Sequence, residues 1–258
     1  MAYLVLARKY RPQKFNEIVG QSHVSKVLQN AIKVNRIAHA YIFAGPRGTG
    51  KTTTARIFAK ALNCKSLTSD EPCDKCDFCA EIKNGYSVDV LEIDGASNRG
   101  IDEIRALREN VKFAPANLKY KIYIIDEAHQ ITEAAFNALL KTLEEPPEHV
   151  IFMLATTEPQ KIPDTILSRC QRFKFRPLSD VEIANNLKEI IKKEKFSVDE
   201  NAAGLISRAA NGSIRDSLSI LDQIVSYSPD EAITKETVRE LLGLTPLEVI
   251  ETLFEFAA

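Results

Sequence analysis

Up to about residue 178 the chain alternates between short apolar runs and longer stretches with helical spacing. "AYIFA" (40–44), "VDVLEI" (88–93), "KIYIID" (121–126), "VIFMLAT" (150–156) and "RFKF" (172–175) read as strands. Several are continuously apolar rather than alternating, which suits a parallel sheet covered on both faces. Helical spacing marks 52–62, 101–112 and 133–144, the last stopped by "EEPPE". Strand–helix alternation predicts an α/β fold, a doubly wound parallel sheet with helices on both faces. After "RPLS" (176–179) only helical patterns follow. Ser179 and Glu182 form an S-x-x-E capping box for a helix to about Phe196. A second helix runs from about Asp199 to "NG" (211–212), a third begins at Ser213, and another fits 234–242, ending at Gly243. "TPLEVIETLFEF" starts with Thr245 as N-cap and Pro246 at the first helical position. It reaches the chain end without a stop signal, so the natural protein is expected to continue. The expected domains are an α/β domain over 1–178, a helical lid over 179–243, and the start of a truncated helical region over 244–258.

Length and composition add the class. The 258 residues, 45% apolar and 27% charged, are ample for a hydrophobic core. No apolar run is long enough to span a bilayer, and "MAYLVLARKYRP" puts apolar residues before basic ones, the wrong order for a secretory signal. The chain is expected to be cytoplasmic, without membrane contact, where clustered cysteines point to metal rather than disulfides. The net charge of −1 hides an asymmetry. Residues 1–60 hold eleven Lys/Arg and one acid, Glu17, which suits phosphate partners.

Candidate chemistry begins after the first strand. Gly45, Gly50, Lys51 and Thr52 match G-x-x-x-x-G-K-[ST], with a strand before and an amphipathic helix after. Such a loop, here Gly45, Pro46, Arg47, Gly48, Thr49, Gly50, Lys51, Thr52 and Thr53, wraps backbone N–H groups around phosphate oxygens at a helix N-terminus. Lys51 is expected to reach the β- and γ-phosphates of ATP, and Thr52 to hold Mg²⁺. "KIYIIDEAH" then delivers Asp126 at a strand end for Mg²⁺, with Glu127 as general base or water-positioner. Thr156 or Thr157 in "LATTEPQKIP" stands at the end of the next strand, where a polar residue contacts a γ-phosphate. Arg169 in "ILSRCQRF" and Arg215 in "NGSIRDSLS" are candidates to neutralise transition-state charge, and spacing alone does not decide between them.

Four of the five cysteines fall within "NCKSLTSDEPCDKCDFC" (63–79), as Cys64, Cys73, Cys76 and Cys79. A stretch this small and polar needs a staple. Four thiolates suit a closed, structural tetrahedral Zn²⁺ site. Iron–sulfur ligation and redox chemistry stay open on spacing alone, although the fourth cysteine lies upstream and no Cys-Pro follows. Cys170 stands apart and reads as a packed small apolar residue.

The phosphate loop, the Asp-Glu pair, "TTEPQKIP", "SRC" and "GSIRDSLS" occur in the order of the AAA+ clamp-loader ATPases, which the chain resembles over roughly residues 1–245. "EIDGASNRGIDEIR" and "LLKTLEEPPEHVIFMLATTEPQKIPDTILSRCQRF" look like the tau/gamma family of bacterial DNA polymerase III. The resemblance implies that 1–178 is a nucleotide-binding domain with a zinc module at about 64–79, and that 244–258 begins a collar. It implies that Tyr10, Arg11, Pro12 and Val19 of "RKYRPQKFNEIVGQ" lie against adenine and ribose. By the same resemblance Thr157 is the γ-phosphate sensor, Arg169 a finger acting on a neighbour's ATP, and Arg215 a lid sensor acting on its own. It implies a hetero-pentamer with other loader subunits that opens a sliding clamp and sets it on primed-template DNA. Arg99, Arg105 and Lys141 would face that DNA, or be solvated surface charge.

Three rivals differ in class. A DEAH-type helicase needs a second nucleotide-type α/β domain, where 179–258 reads as helices only. Another AAA+ DNA motor fits by fold analogy. A nucleotide-binding scaffold with little turnover is expected to have a degenerate phosphate loop, whereas Lys51, Thr52, Asp126 and Glu127 are all present. A polymerase label would belong to an assembled holoenzyme, since the chain has no carboxylate pair of the two-metal polymerase kind.

Overall fold

The structure, a computed structural model, describes residues 3–227 and 232–243. The helix expected from Thr245 lies outside them. The chain runs through α1 (Leu6–Lys9), α2 (Ser22–Lys33), β1 (Ala40–Ala44), α3 (Lys51–Asn63) and α4 (Asp77–Asn84). It continues through β2 (Val90–Asp94), α5 (Ile101–Val111), β3 (Lys121–Asp126), α6 (Glu133–Glu144), β4 (Val150–Thr156), α7 (Asp164–Leu167) and β5 (Gln171–Lys174). Four helices follow: α8 (Asp180–Glu194), α9 (Glu200–Ala209), α10 (Ile214–Tyr227) and α11 (Lys235–Leu242).

The five strands form one parallel sheet in the order β2-β3-β4-β1-β5. Every residue of β4 is buried, as its unbroken apolar run requires. The edge strand β2 exposes Leu91 and Glu92. Two apolar layers cover the sheet. On one face Tyr41, Phe43, Phe173 and Phe175 pack with Phe58 of α3 and Val24 and Leu28 of α2. On the other, Tyr123, Phe152 and Leu154 pack with Ile104, Leu107, Phe136 and Leu139 of α5 and α6. Tyr41 meets Phe58 edge-on, with ring centres 5.0 Å apart, the arrangement the ring quadrupoles favour.

Four helices were not marked by the sequence pattern: the one-turn α1 and α7, and the longer α2 and α4. The N-cap position of α2 is Gln21, whose side chain makes no cap bond and instead bonds the Arg176 backbone, so no capping signal announces the helix. The short α4 starts at the last two cysteines and stops at Gly85, which adopts φ +77°.

By internal contacts Pro12–Arg176 is one unit, and residues up to Arg11 group with the helices after Arg176 in another. The expectation had kept residues 1–178 together. The N-terminal stretch is held in the helical unit by specific bonds. The Tyr3 hydroxyl and the Leu6 N–H (3.0 Å) donate to the Asp222 carboxylate of α10. The Tyr10 hydroxyl and the Lys9 ammonium (2.5 Å) bind Glu194 at the end of α8. Helix α8 carries the expected capping box between Ser179 and Glu182. Among the described residues, no helix is long and apolar enough to cross a membrane.

Candidate nucleotide site and cysteine cluster

Parallel pairing sets the ends of β1, β3 and β4 at one edge of the sheet, where α/β folds take ligands. The loop after β1 is tied down at its start, the Gly45 N–H donating to the Thr156 carbonyl at 3.1 Å. Its last glycine, Gly50, has φ +98°, a conformation closed to most side chains, and passes directly into α3. The first backbone bond into this helix is Thr54 N–H to Gly50 O, at 2.8 Å. The preceding first-turn amides have no intrahelical acceptor and carry the positive end of the helix dipole. Lys51 is 6% exposed and folds back to donate to the Pro46 carbonyl at 2.8 Å. Burial pushes its pKa down, opposed by the carboxylates of Glu127 and Asp126.

Asp126 ends β3, and its Oδ2 accepts from the Thr52 hydroxyl at 2.8 Å. Its other oxygen accepts from the Glu127 N–H at 3.0 Å. Two hard oxygens so placed match adjacent corners of an octahedral Mg²⁺ site, about 3.0 Å apart when each lies about 2.1 Å from the ion. Glu127 is turned aside by a backbone φ of +46°. Its carboxylate accepts from the Thr157 hydroxyl at 3.3 Å and lies 3.4 Å from Nδ1 of His129. Gly95, beyond the end of β2, supports this turn from behind and donates its N–H to the Asp126 carbonyl at 2.8 Å.

His129 is a site residue that sequence reasoning missed. Its side chain is 5% exposed, with Nδ1 3.2 Å from the Thr156 hydroxyl and Nε2 3.3 Å from the Glu158 carboxylate. It thereby links the ends of β3 and β4 and fixes the direction of Glu127. The only sequence signal was its place in "DEAH", which had drawn attention as a helicase motif. Thr156 is fully buried, and its hydroxyl is taken up by His129 and the Glu158 N–H (3.0 Å), so Thr157 is the threonine that faces Glu127.

The remaining expected residues stand elsewhere. Arg47 is exposed on the loop, and Pro12 and Val19 are half-buried. Ile18 touches the loop itself, its Cγ2 lying 3.9 Å from where a Cβ on Gly50 would stand. Arg169 is bound within its own unit, to Glu144 and the Thr165 carbonyl, each at 2.6 Å. Tyr10, Arg11 and Arg215 belong to the helical unit, Arg215 exposed on the first turn of α10. Arg99, Arg105 and Lys141 are exposed, Arg105 with Asp102 3.1 Å away. Cys170 packs against the core, and burial pushes its thiol up to about 12.

The sulfurs of Cys64, Cys73, Cys76 and Cys79 all lie within 4.8 Å of one another. Thiolates at about 2.3 Å around one tetrahedral zinc ion stand about 3.8 Å apart, and Cys73 and Cys79 are separated by 3.9 Å. That is far beyond a disulfide bond, about 2.05 Å. Backbone N–H groups of Ser66 (3.4 Å) and Cys73 (3.3 Å) point at Cys64 Sγ, and that of Cys76 (3.3 Å) at Cys73 Sγ. Such bonds favour the thiolate, the form that binds metal. The donor set fits zinc.

Comparison with known proteins gives a consistent family. The profile described as "DNA polymerase III, delta subunit" matches residues 20–179, and that of the "DNA polymerase III clamp loader subunit, ATPase lid domain" matches 182–230. DNA polymerase III subunit tau of Bacillus subtilis is 55% identical over 230 residues, covering 89% of this chain and 41% of that protein. Subunit tau of Escherichia coli is 49% identical over 243 residues, 94% of this chain and 38% of that protein. The gamma subunit of Buchnera aphidicola (subsp. Schizaphis graminum) is 46% identical and covers 95% and 67%. The chain thus spans about two fifths of the tau relatives' length. Among solved structures, the Thermotoga maritima RuvB Holliday junction branch migration motor superposes with a TM-score of 0.67 at 19% identity, covering 91% of this chain and 72% of that one. That likeness shows the fold, a parallel AAA+ sheet followed by a helical lid.

Proposed function

The chain belongs to the tau/gamma clamp-loader family of bacterial DNA polymerase III, and from that premise we propose that it is an ATP-hydrolysing loader subunit. It uses ATP to open a ring-shaped sliding clamp and set it on primed DNA during cytoplasmic DNA replication. The observation that carries this reading is the joining of Thr52, Asp126, Glu127 and Thr157 by hydrogen bonds at the mouth of a phosphate loop.

The first-turn amides of α3 and Lys51 hold the polyphosphate, and Lys51 leaves the Pro46 carbonyl for phosphate oxygens. Thr52 and Asp126 hold Mg²⁺, which when bound neutralises charge on the phosphates. Glu127 accepts a proton from the attacking water or orients it, kept in direction by His129. Thr157 gives up its bond to Glu127 for the γ-phosphate. Arg169 completes the site of a neighbouring subunit in a hetero-pentamer, and Arg215 acts on the chain's own nucleotide. Tyr10, Arg11, Pro12 and Val19 serve the nucleoside end. Arg99, Arg105 and Lys141 are the proposed DNA contacts, made to phosphates and independent of sequence. Cys64, Cys73, Cys76 and Cys79 hold a structural zinc ion. The chemistry is nucleotide hydrolysis, and no polymerase step derives from this site.

The test is Glu127→Gln in the full-length protein assembled with its loader partners, clamp and primed DNA. ATP binding is expected to persist while turnover falls by about 10²-fold or more. Turnover at the wild-type rate would remove Glu127 from the chemistry and favour a scaffold role.

A further inference from the structure

Two carboxylates inside the cysteine segment are tied to one short stretch of backbone, Glu71 directly and Asp74 through the Lys60 ammonium. Residues 68–71 form a tight hairpin, with paired backbone bonds between Thr68 and Glu71 and left-handed Ser69 (φ +53°) and Asp70 (φ +62°) at its tip. This is the geometry of a type I′ turn. It presents Glu71, whose oxygens accept from the Phe15 N–H at 2.7 Å, the Asn16 N–H at 3.0 Å and the Gln29 side chain at 3.0 Å. Asp74, next to Cys73, accepts from Lys60 at 2.8 Å. Lys60, on α3, is 1% exposed and also donates to the Gln13 carbonyl (2.8 Å) and side chain (2.9 Å). The stretch so gripped, residues 13–16, leads to Ile18, which lies against Gly50 of the phosphate loop.

Beyond these bonds, the segment is tied by ion pairs of Asp74 with Lys83 (3.0 Å) and of Lys65 with Asp77 (3.1 Å), and it has little apolar burial to keep its shape. Between Lys65 and Phe78 only Pro72 is buried. Drawing the four sulfurs together fixes where Glu71 and Asp74 stand. In sequence, the stretch they hold, residues 13–16, lies between Tyr10, Arg11 and Pro12 on one side and Val19 on the other, the residues proposed above to serve the nucleoside.

We propose that the cysteine module is a positioning device for the nucleoside end of the nucleotide site, with Glu71 its main arm, so that metal at the four cysteines sets ATP affinity. This rests on the nucleotide and zinc readings above. Glu71 touches no nucleotide and acts through the backbone of Phe15 and Asn16. The module is therefore part of the binding machinery and not a detached surface brace.

The test measures ATP affinity, inorganic tripolyphosphate affinity and zinc content of the full-length protein, wild type, Glu71→Ala and Glu71→Gln. Hydrogen exchange at the Phe15 and Asn16 amides is followed in each. Glu71→Ala is expected to keep one zinc ion, weaken ATP about tenfold by loss of two charge-assisted bonds, leave tripolyphosphate within about twofold, and speed exchange at both amides. Glu71→Gln, which retains one acceptor oxygen, falls between. Chelating the zinc from wild type reproduces the ATP loss, and chelation of Glu71→Ala adds little to it, the signature of one shared path. Unchanged ATP affinity in a zinc-loaded Glu71→Ala protein overturns the inference and leaves the nucleotide site intact. Equal weakening of ATP and tripolyphosphate also overturns it, as general loosening. A wild-type protein that binds neither ATP nor zinc would instead bring down the proposed function, and this inference with it.

Discussion

Adding one methyl group at Gly95 displaces the turn that carries Glu127 without touching any group proposed to meet the nucleotide. A Cβ there would stand 2.8 Å from the Glu127 carbonyl oxygen and 2.9 Å from that of Asp126. Both are backbone atoms, so no rotamer change relieves the clash. The Gly95 φ is not positive, so alanine is acceptable to the backbone itself and the difficulty is space alone. Restoring ordinary contact requires β2 and the end of β3 to part by about 0.5 Å. Misplacing a reacting group by about 1 Å costs about 10²-fold in rate, so Gly95→Ala should lose about tenfold in ATP turnover. Overpacking of this kind costs about 1–3 kcal/mol of stability, which a domain of this size survives. The Lys51 ammonium and the first turn of α3 lie on the β1 side of β4, and ATP affinity should stay within about twofold. The assay is turnover at saturating ATP in the assembled loader, alongside ATP binding and a thermal melt. Wild-type turnover in a folded Gly95→Ala protein would refute the claim that the direction of Glu127 is set by this turn. A parallel loss of ATP binding would refute the claim that the displacement stays on the β3 side.

Thr52→Val, which keeps shape and deletes the hydroxyl bonded to Asp126, should raise the Mg²⁺ concentration needed for half-maximal turnover by about tenfold or more; a magnesium titration checks this. Arg169→Ala should lower turnover of the assembled loader by about 10³-fold or more while ATP binding to the substituted subunit is unchanged; wild-type turnover would leave Arg169 as the partner of Glu144 and nothing more. Hydrogen bonds from Lys9 and then Tyr10 hold the Glu194 carboxyl below its ordinary value. Folding therefore gains from this group above the unfolded glutamate pKa, about 4.3, and the gain is lost as pH falls through the lower folded value. The protection of the Leu6–Tyr10 amides, their exchange rates taken relative to the intrinsic rate at each pH, should fall over that acidic window and stay flat from pH 5 to 7.

The middle of the sheet was legible because β1, β3 and β4 are buried on both faces and so are written as apolar runs; "KIYIID" and "VIFMLAT" match β3 and β4 residue for residue, while the exposed edge strands β2 and β5 lie one or two residues from their expected bounds. The phosphate loop and Asp126–Glu127 were legible because their chemistry needs particular residues at fixed spacing. What was missed depends on contacts between distant positions. His129 matters through Thr156 and Glu158, which only the pairing of β3 with β4 brings near. The membership of residues 3–11 in the helical unit rests on Asp222, more than two hundred positions away. Glu71 looked like one more acid in a polar loop until the hairpin aimed it at Phe15 and Asn16.

The strand order also governs when the site can come into being during synthesis. β1, which launches the phosphate loop, pairs with β4 and β5, each more than a hundred residues later in the chain. Its neighbours in sequence, α2 and α3, offer it no strand to pair with. A ribosome must therefore release residues through Thr156 before β1 gains a partner, and until then its apolar run waits unpaired. Pairing over such separations is slow because loop closure comes before any reward. ATP capture by a nascent chain should begin as one late event when β4 slides between β1 and β3, and not grow gradually from the moment Lys51 emerges.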